Sequence, residues 1–169
     1  MRIDSRKFSI VNLIAYVLFL LPLGRLDLFK ENYSTLSLDT RGYFYLLFLG
    51  IVIGLLLAYE TYHINNKEMA TGMFLSLFLG TVIPHHIPYD LQGNLHLLFA
   101  YLGFAGIMSI TFMNLIRYNN QYLINMYFLS LFSLAFLYMH YGMVNTLMEV
   151  IIMTLNLFVN YLLYKKKCL

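Results

Sequence analysis

Apolar runs of about 15 to 22 residues alternate with short polar connections along the whole chain. Few architectures accept such a pattern. A hydrocarbon core about 30 Å thick is crossed by roughly 20 residues of helix, because each backbone N–H and C=O must find its partner within the segment. Six runs meet or approach that length: Phe8–Leu23, Tyr43–Tyr59, Ala70–Pro84, Leu95–Ile116, Tyr122–Tyr138 and Met143–Tyr164. The third is short and is expected to borrow residues from Asn66 or from the His85–Ile87 side. The sequence therefore predicts an all-α, polytopic membrane protein, with residues 1–169 forming one membrane domain built as a six-transmembrane-helix bundle.

Charge supports this reading. Only 11 % of the 169 residues are charged, against about 25 % in soluble domains. A water-soluble globular enzyme and a disordered chain are both excluded. A net charge of +3 supplies no basic face for nucleic acid. The single cysteine, Cys168, excludes an internal disulfide framework.

Orientation follows from the lysines and arginines, which accumulate on the cytoplasmic side of short loops. With six spans, eight of them (Arg2, Arg6, Lys7, Lys67, Arg117 and Lys165–Lys167) share one side, and three (Arg25, Lys30, Arg41) face the other. Both termini are thus expected in the cytoplasm, and loop Gly24–Gly42 outside, with its sequon Asn32-Tyr33-Ser34. The first span is read as a retained helix, because Leu21-Pro22-Leu23-Gly24-Arg25 offers no small-x-small cleavage site. Abundant Tyr, Phe, Asn, Ile and Leu with little alanine point to an AT-rich genome, hence to a bacterial plasma membrane.

Lipid tails give helices no hydrophobic reason to associate, so close backbone approach and buried polar groups must do so. Small residues recur at Gly50, Gly54 and Ala58, at Gly72, Ser76 and Gly80, and at Ala100 and Gly103. Polar residues are more specific. A charge within a span costs about 2.5–3.5 kcal/mol on insertion scales, and Glu149 is the one carboxylate that falls well inside a predicted span. At about 100° per residue, Asn145, Glu149, Asn156 and Asn160 share one face of the last helix. On the fourth, His96, Gly103 and Asn114 align, with Thr111 beside them. A contact between His96 and Glu149 would let the carboxylate keep its charge or share a proton.

The expected pocket comprises Glu149, His96 and Asn145, with His140 and Asp90 at its rim; Asn156, Asn160 and Asn114 continue it as a buried stripe. It suits either an interhelical packing network or a functional site. His85 and His86 are the only weak candidates for metal ligation, without any fixed ligand spacing, and no cofactor is expected. No serine-hydrolase elbow, phosphate loop or dinucleotide fingerprint is present. The expected partners are the lipid bilayer and a lipid or membrane-protein ligand.

Three stretches carry a family resemblance: Ser34-Thr35-Leu36-Ser37-Leu38-Asp39-Thr40 in the long first loop, Gly93-Asn94-Leu95-His96 opening the fourth span, and Thr146-Leu147-Met148-Glu149 opening the last, followed by Phe158 and Lys165–Lys167. In these the chain resembles the FRAG/DRAM-type six-span membrane proteins, which include damage-regulated autophagy modulators and a GPI-anchor remodelling factor, and their bacterial relatives. The resemblance implies a six-span fold and draws attention to His96 and Glu149. The first loop lacks the proline-rich acidic segment of the eukaryotic members, so their lipid-remodelling activity does not carry over with it. Three functions fit these residues: a lipid- or partner-binding sensor, a lipid-modifying enzyme using His96 or Glu149, and a small proton-linked transporter.

Overall fold

A computed structural model describes residues 5–64, 67–85 and 90–168, and among these every regular element is helical. Six α-helices follow in order: α1 (Ser5–Leu20), α2 (Thr40–Ile64), α3 (Lys67–Val82), α4 (Leu91–Tyr118), α5 (Gln121–Tyr141) and α6 (Thr146–Cys168). Two 3-10 turns, Leu21–Gly24 and Tyr33–Leu38, lie in the long connection between α1 and α2. Five segments are long and apolar enough to cross a membrane: Arg6–Gly24, Thr40–His63, Leu91–Tyr118, Gln121–Tyr141 and Thr146–Lys166. The apolar part of α3, Ala70–Val82, is shorter. Even the whole of α3, 16 residues, gives about 24 Å at 1.5 Å each, below the roughly 30 Å of a hydrocarbon core. Of the residues it was expected to borrow, from Asn66 or from the His85–Ile87 side, Asn66 and His86–Ile87 lie outside the described residues, and His85 follows the end of α3 without joining it.

The distribution of side chains is that of a membrane protein. Large apolar residues point outward: Leu13, Phe44, Phe48, Leu98, Tyr101, Leu129, Phe132, Phe136 and Met139 are all exposed. The interior mixes Leu57, Ile107, Leu115, Leu157 and Leu163 with Glu60, His96, Thr111, Asn114, Asn145, Glu149, Asn156 and Asn160, all buried. Such an arrangement is costly in water and natural in lipid, where outward apolar groups need no cover and inward polar groups hold helices together.

The last helix stands at the centre. It packs against α1, α2, α4 and α5, while α3 packs between α2 and α4. Over half of the α6 span is buried (56 %), against 17–33 % in the other four. Small residues bring α3 and α4 together: a Cβ at Gly80 would stand 3.0 Å from the Ala100 backbone nitrogen, and one at Gly103 would stand 2.8 Å from the Leu77 side chain. Gly72 takes no part in this seam; nothing lies within 4 Å of its Cβ position.

The connections explain the helix boundaries. The Asp90 carboxylate accepts from Gly93 N–H and starts α4. Asn119 ends it in the left-handed conformation (φ 45°), and the Asn120 side chain then accepts from Leu123 N–H to start α5. Gly142 (φ 69°) closes α5. Asn145 is the corresponding cap of α6, accepting from Met148 N–H at 3.1 Å.

The first loop folds back on the end of the bundle where α4 and α6 begin, here termed the loop end. Thr146 N–H donates to Glu31 O at 2.6 Å and Leu147 N–H to Leu28 O at 3.0 Å, so loop carbonyls occupy amides that a helix start leaves without intrahelical partners. The 3-10 turn Tyr33–Leu38 is capped by reciprocal bonds between Asn32 and Thr35 and lies against α2.

Candidate functional site

A cavity of about 110 Å³ lies at the loop end, walled by α1, α2, α3, α4 and α6 and reached by the Tyr33–Leu38 turn. Its lining is overwhelmingly apolar, including Phe19, Leu46, Leu49, Ile53, Leu77, Phe104 and Met153. Five further lining residues carry polar groups: Tyr33, Ser34, Thr81, His96 and Glu149, of which Thr81 spends its hydroxyl on Phe78 O of its own helix. Glu149 and His96 thus share one cavity, but no hydrogen bond joins them directly. The dipeptide Tyr33-Ser34 stands between the two, contributed by a different part of the chain.

On one side, Tyr33 N–H donates to Glu149 Oε2 at 2.6 Å. The Tyr33 ring stacks on Phe19 (centroids 4.7 Å, 6° between planes), and its hydroxyl donates to Phe19 O at 2.5 Å. Burial, and then the nearby Glu149 carboxylate, push the Tyr33 phenol above its usual range, so the hydroxyl remains a donor. On the other side, the Ser34 hydroxyl lies 2.9 Å from His96 Nε2. His96 Nδ1 lies 2.6 Å from Ile83 O, just beyond the last turn of α3. A carbonyl oxygen can only accept, so Nδ1 carries a proton; in the neutral ring Nε2 is then the acceptor and Ser34 the donor.

Further bonds fix Ser34 from behind. Ser37 Oγ donates to Ser34 O at 2.7 Å and accepts from His85 N–H at 3.1 Å. Thr35 Oγ1 donates to Asn32 O at 2.6 Å. Tyr43 OH donates to Val82 O at 2.7 Å, so the carbonyls at the end of α3 are met by side chains from α2 and α4.

The remaining expected pocket residues lie elsewhere. Asn145 is fully buried, but it caps α6 and donates weakly to Phe29 O (3.4 Å). Asp90 is exposed and caps α4. His140 is exposed near the end of α5, edge-on to Tyr141. Each lies at a helix end, where short polar side chains serve the backbone before they serve a ligand. His85 is buried with its ring 5.3 Å from that of His96, and His86 lies outside the described residues. Among the described residues, no cluster of three or more His, Cys, Asp or Glu side chains could hold a metal ion.

Away from the loop end, the α6 stripe meets α4: Asn160 Nδ2 donates to Thr111 Oγ1 at 3.0 Å, and Asn156 Nδ2 to Ile152 O of its own helix at 2.7 Å. Asn114, Asn156 Oδ1 and Asn160 Oδ1 are buried without a hydrogen-bond partner among the described residues.

A second buried carboxylate corrects the expectation that Glu149 stands alone. Helix α2 continues five residues beyond the expected Tyr59 and carries Glu60, 0 % exposed, into the core. Asn12 Nδ2 on α1 donates to Glu60 Oε1 at 2.9 Å, whereas Oε2 meets no partner among the described residues. Its signal lay in register, since Leu56 and Leu57, one turn earlier, are buried on the same side. Ser34 was legible only as part of a polar loop. The pairing of Asn32 with Thr35 three residues on, the pattern of a capping box, was the trace of the turn that holds it.

Compared with known proteins, the chain matches no family model, no curated sequence and no solved structure.

Proposed function

We propose that the chain is a six-span protein of a bacterial plasma membrane, both termini cytoplasmic, that binds a lipid in its extracytoplasmic half. The observation that carries this reading is the cavity itself. A largely apolar space of about 110 Å³ ends in Ser34, His96 and Glu149, room for a segment of an acyl chain rather than for a whole lipid. The acyl portion next to a polar linkage suits both parts. A binding site of this kind is a mostly apolar concavity with few, well-placed polar groups. Within this reading α3 completes the six spans, and the eight-to-three distribution of Lys and Arg supports an outward-facing cavity.

Native mass spectrometry of the detergent-solubilised protein tests it. Wild type retains phospholipid, whereas Ile53→Phe, which fills the apolar wall, loses at least tenfold in occupancy at equal thermal stability. Equal retention by the two proteins would sink the proposal.

One observation favours a second reading, a small proton-linked transporter. Glu60 gives the opposite half of the bundle its own buried carboxylate, and intramembrane acids often mark proton pathways. Proton uptake by proteoliposomes that is abolished in both Glu60→Gln and Glu149→Gln would select it over lipid binding.

A further inference from the structure

We propose that Ser34 and His96 form a nucleophile–base dyad that cleaves carboxylic esters of lipids bound in the cavity, an inference that rests on the lipid-binding reading. Three observations carry it. The Ser34 hydroxyl lies 2.9 Å from His96 Nε2, within the 2.6–3.2 Å range of an activated nucleophile and its base. His96 is itself oriented by a third group, the Ile83 carbonyl at 2.6 Å from Nδ1, which fixes the tautomer with Nε2 free to take a proton. Ser34 and His96 also both lie at the polar end of a mostly apolar cavity, to which an acyl chain would bring its carbonyl.

The chemistry closes with water as the only co-reactant. Ser34 Oγ attacks the ester carbonyl carbon while its proton passes to His96 Nε2. The carbon–oxygen bond to the alcohol breaks, and that alcohol leaves with the proton from Nε2. Water then attacks the acyl-Ser34 ester, gives one proton to Nε2 and releases the fatty acid as Ser34 Oγ recovers that proton. The sum is ester plus water giving acid plus alcohol. Glu149 touches none of the reacting atoms. Through Tyr33 N–H at 2.6 Å it holds the residue preceding the nucleophile, and is a positioning residue.

An alkyl fluorophosphonate probe, applied to the full-length protein in detergent micelles, tests the dyad. The expected result is one adduct, mapped by peptide mass spectrometry to Ser34. His96→Ala should form it about a hundred-fold more slowly, as loss of a general base implies, while Ser130→Ala on α5 is unchanged. Glu149→Leu should slow labelling and Glu149→Gln should restore it, because the amide oxygen can still accept from Tyr33. The adduct on the wild-type protein keeps the test decisive even if a variant fails to fold. No adduct at Ser34, or an equal rate in folded His96→Ala, would overturn the proposal. Lipid retention without an adduct overturns the dyad and leaves the pocket standing; an adduct without lipid retention upholds the dyad and overturns the pocket.

Discussion

At the scale of single residues, the two buried carboxylates behave differently because their partners differ. Glu149 accepts from a backbone amide, that of Tyr33. In Glu149→Leu that amide loses its partner, and an unsatisfied buried donor costs about 1–3 kcal/mol. Glu149→Leu should therefore melt several degrees below wild type in detergent, with Glu149→Gln close to wild type, as thermal unfolding followed by size exclusion would show. Glu60 reverses the emphasis, because its partner Asn12 is a side chain. Glu60→Gln keeps a hydrogen-bonding group beside Asn12. Asn12→Leu strips the carboxylate of the only partner it has among the described residues. Asn12→Leu should then be the more damaging of the two by about 1–2 kcal/mol, measured by the same melting assay. Equal losses would mean that Glu60 is held by something other than Asn12.

Elements differ in how openly the sequence announces them. Helices α4 and α5 appear where their apolar runs predict, extended by a few residues at ends set by Asp90, Asn120 and Gly142, whereas α6 starts three residues later than its run, at Thr146 after the Asn145 cap, and continues to Cys168. The expected second span stops at Tyr59 because hydropathy falls at Glu60, yet a helix end is decided by capping and packing, and α2 runs on to Ile64. The face of α6 that carries Glu149, Asn156 and Asn160 was legible from the 100° period, since helix geometry alone sets it. The site was only half legible: His96 and Glu149 share a cavity, but the turn that separates them arises from contacts more than 60 residues away in sequence. No local pattern encodes such a meeting. The seat of that turn supplies an element-scale prediction. A Cβ at Gly42 would lie 2.2 Å from the Leu36 carbonyl oxygen, which belongs to the turn's own backbone. Gly42→Ala should lower the melting temperature, as overpacking of about 1–3 kcal/mol implies. By contrast Gly72→Ala, on an open face of α3, should raise stability by up to about 1 kcal/mol through helix propensity.

For the whole molecule, the question is which way the bundle sits and how it comes to be complete. With the native Cys168 replaced by serine, a cysteine at exposed Leu38 should react with a membrane-impermeant maleimide in intact cells, and one at exposed Glu68 should react only after lysis. The reverse pattern would invert the bundle and place the cavity on the cytoplasmic side. A related consequence follows from the central position of α6. This helix is synthesised after the other five and packs against four of them, α1, α2, α4 and α5, so the translocon releases those four around an unfilled axis. Until α6 arrives, Tyr33 N–H and Thr111 lack their acceptor and donor, and the loop carbonyls of Leu28 and Glu31 have no amides to receive. Biogenesis therefore ends in a single late step in which axis, capping turn and cavity form together. A nascent chain arrested before Thr146 would be a substrate for membrane quality-control proteases rather than a partly working protein.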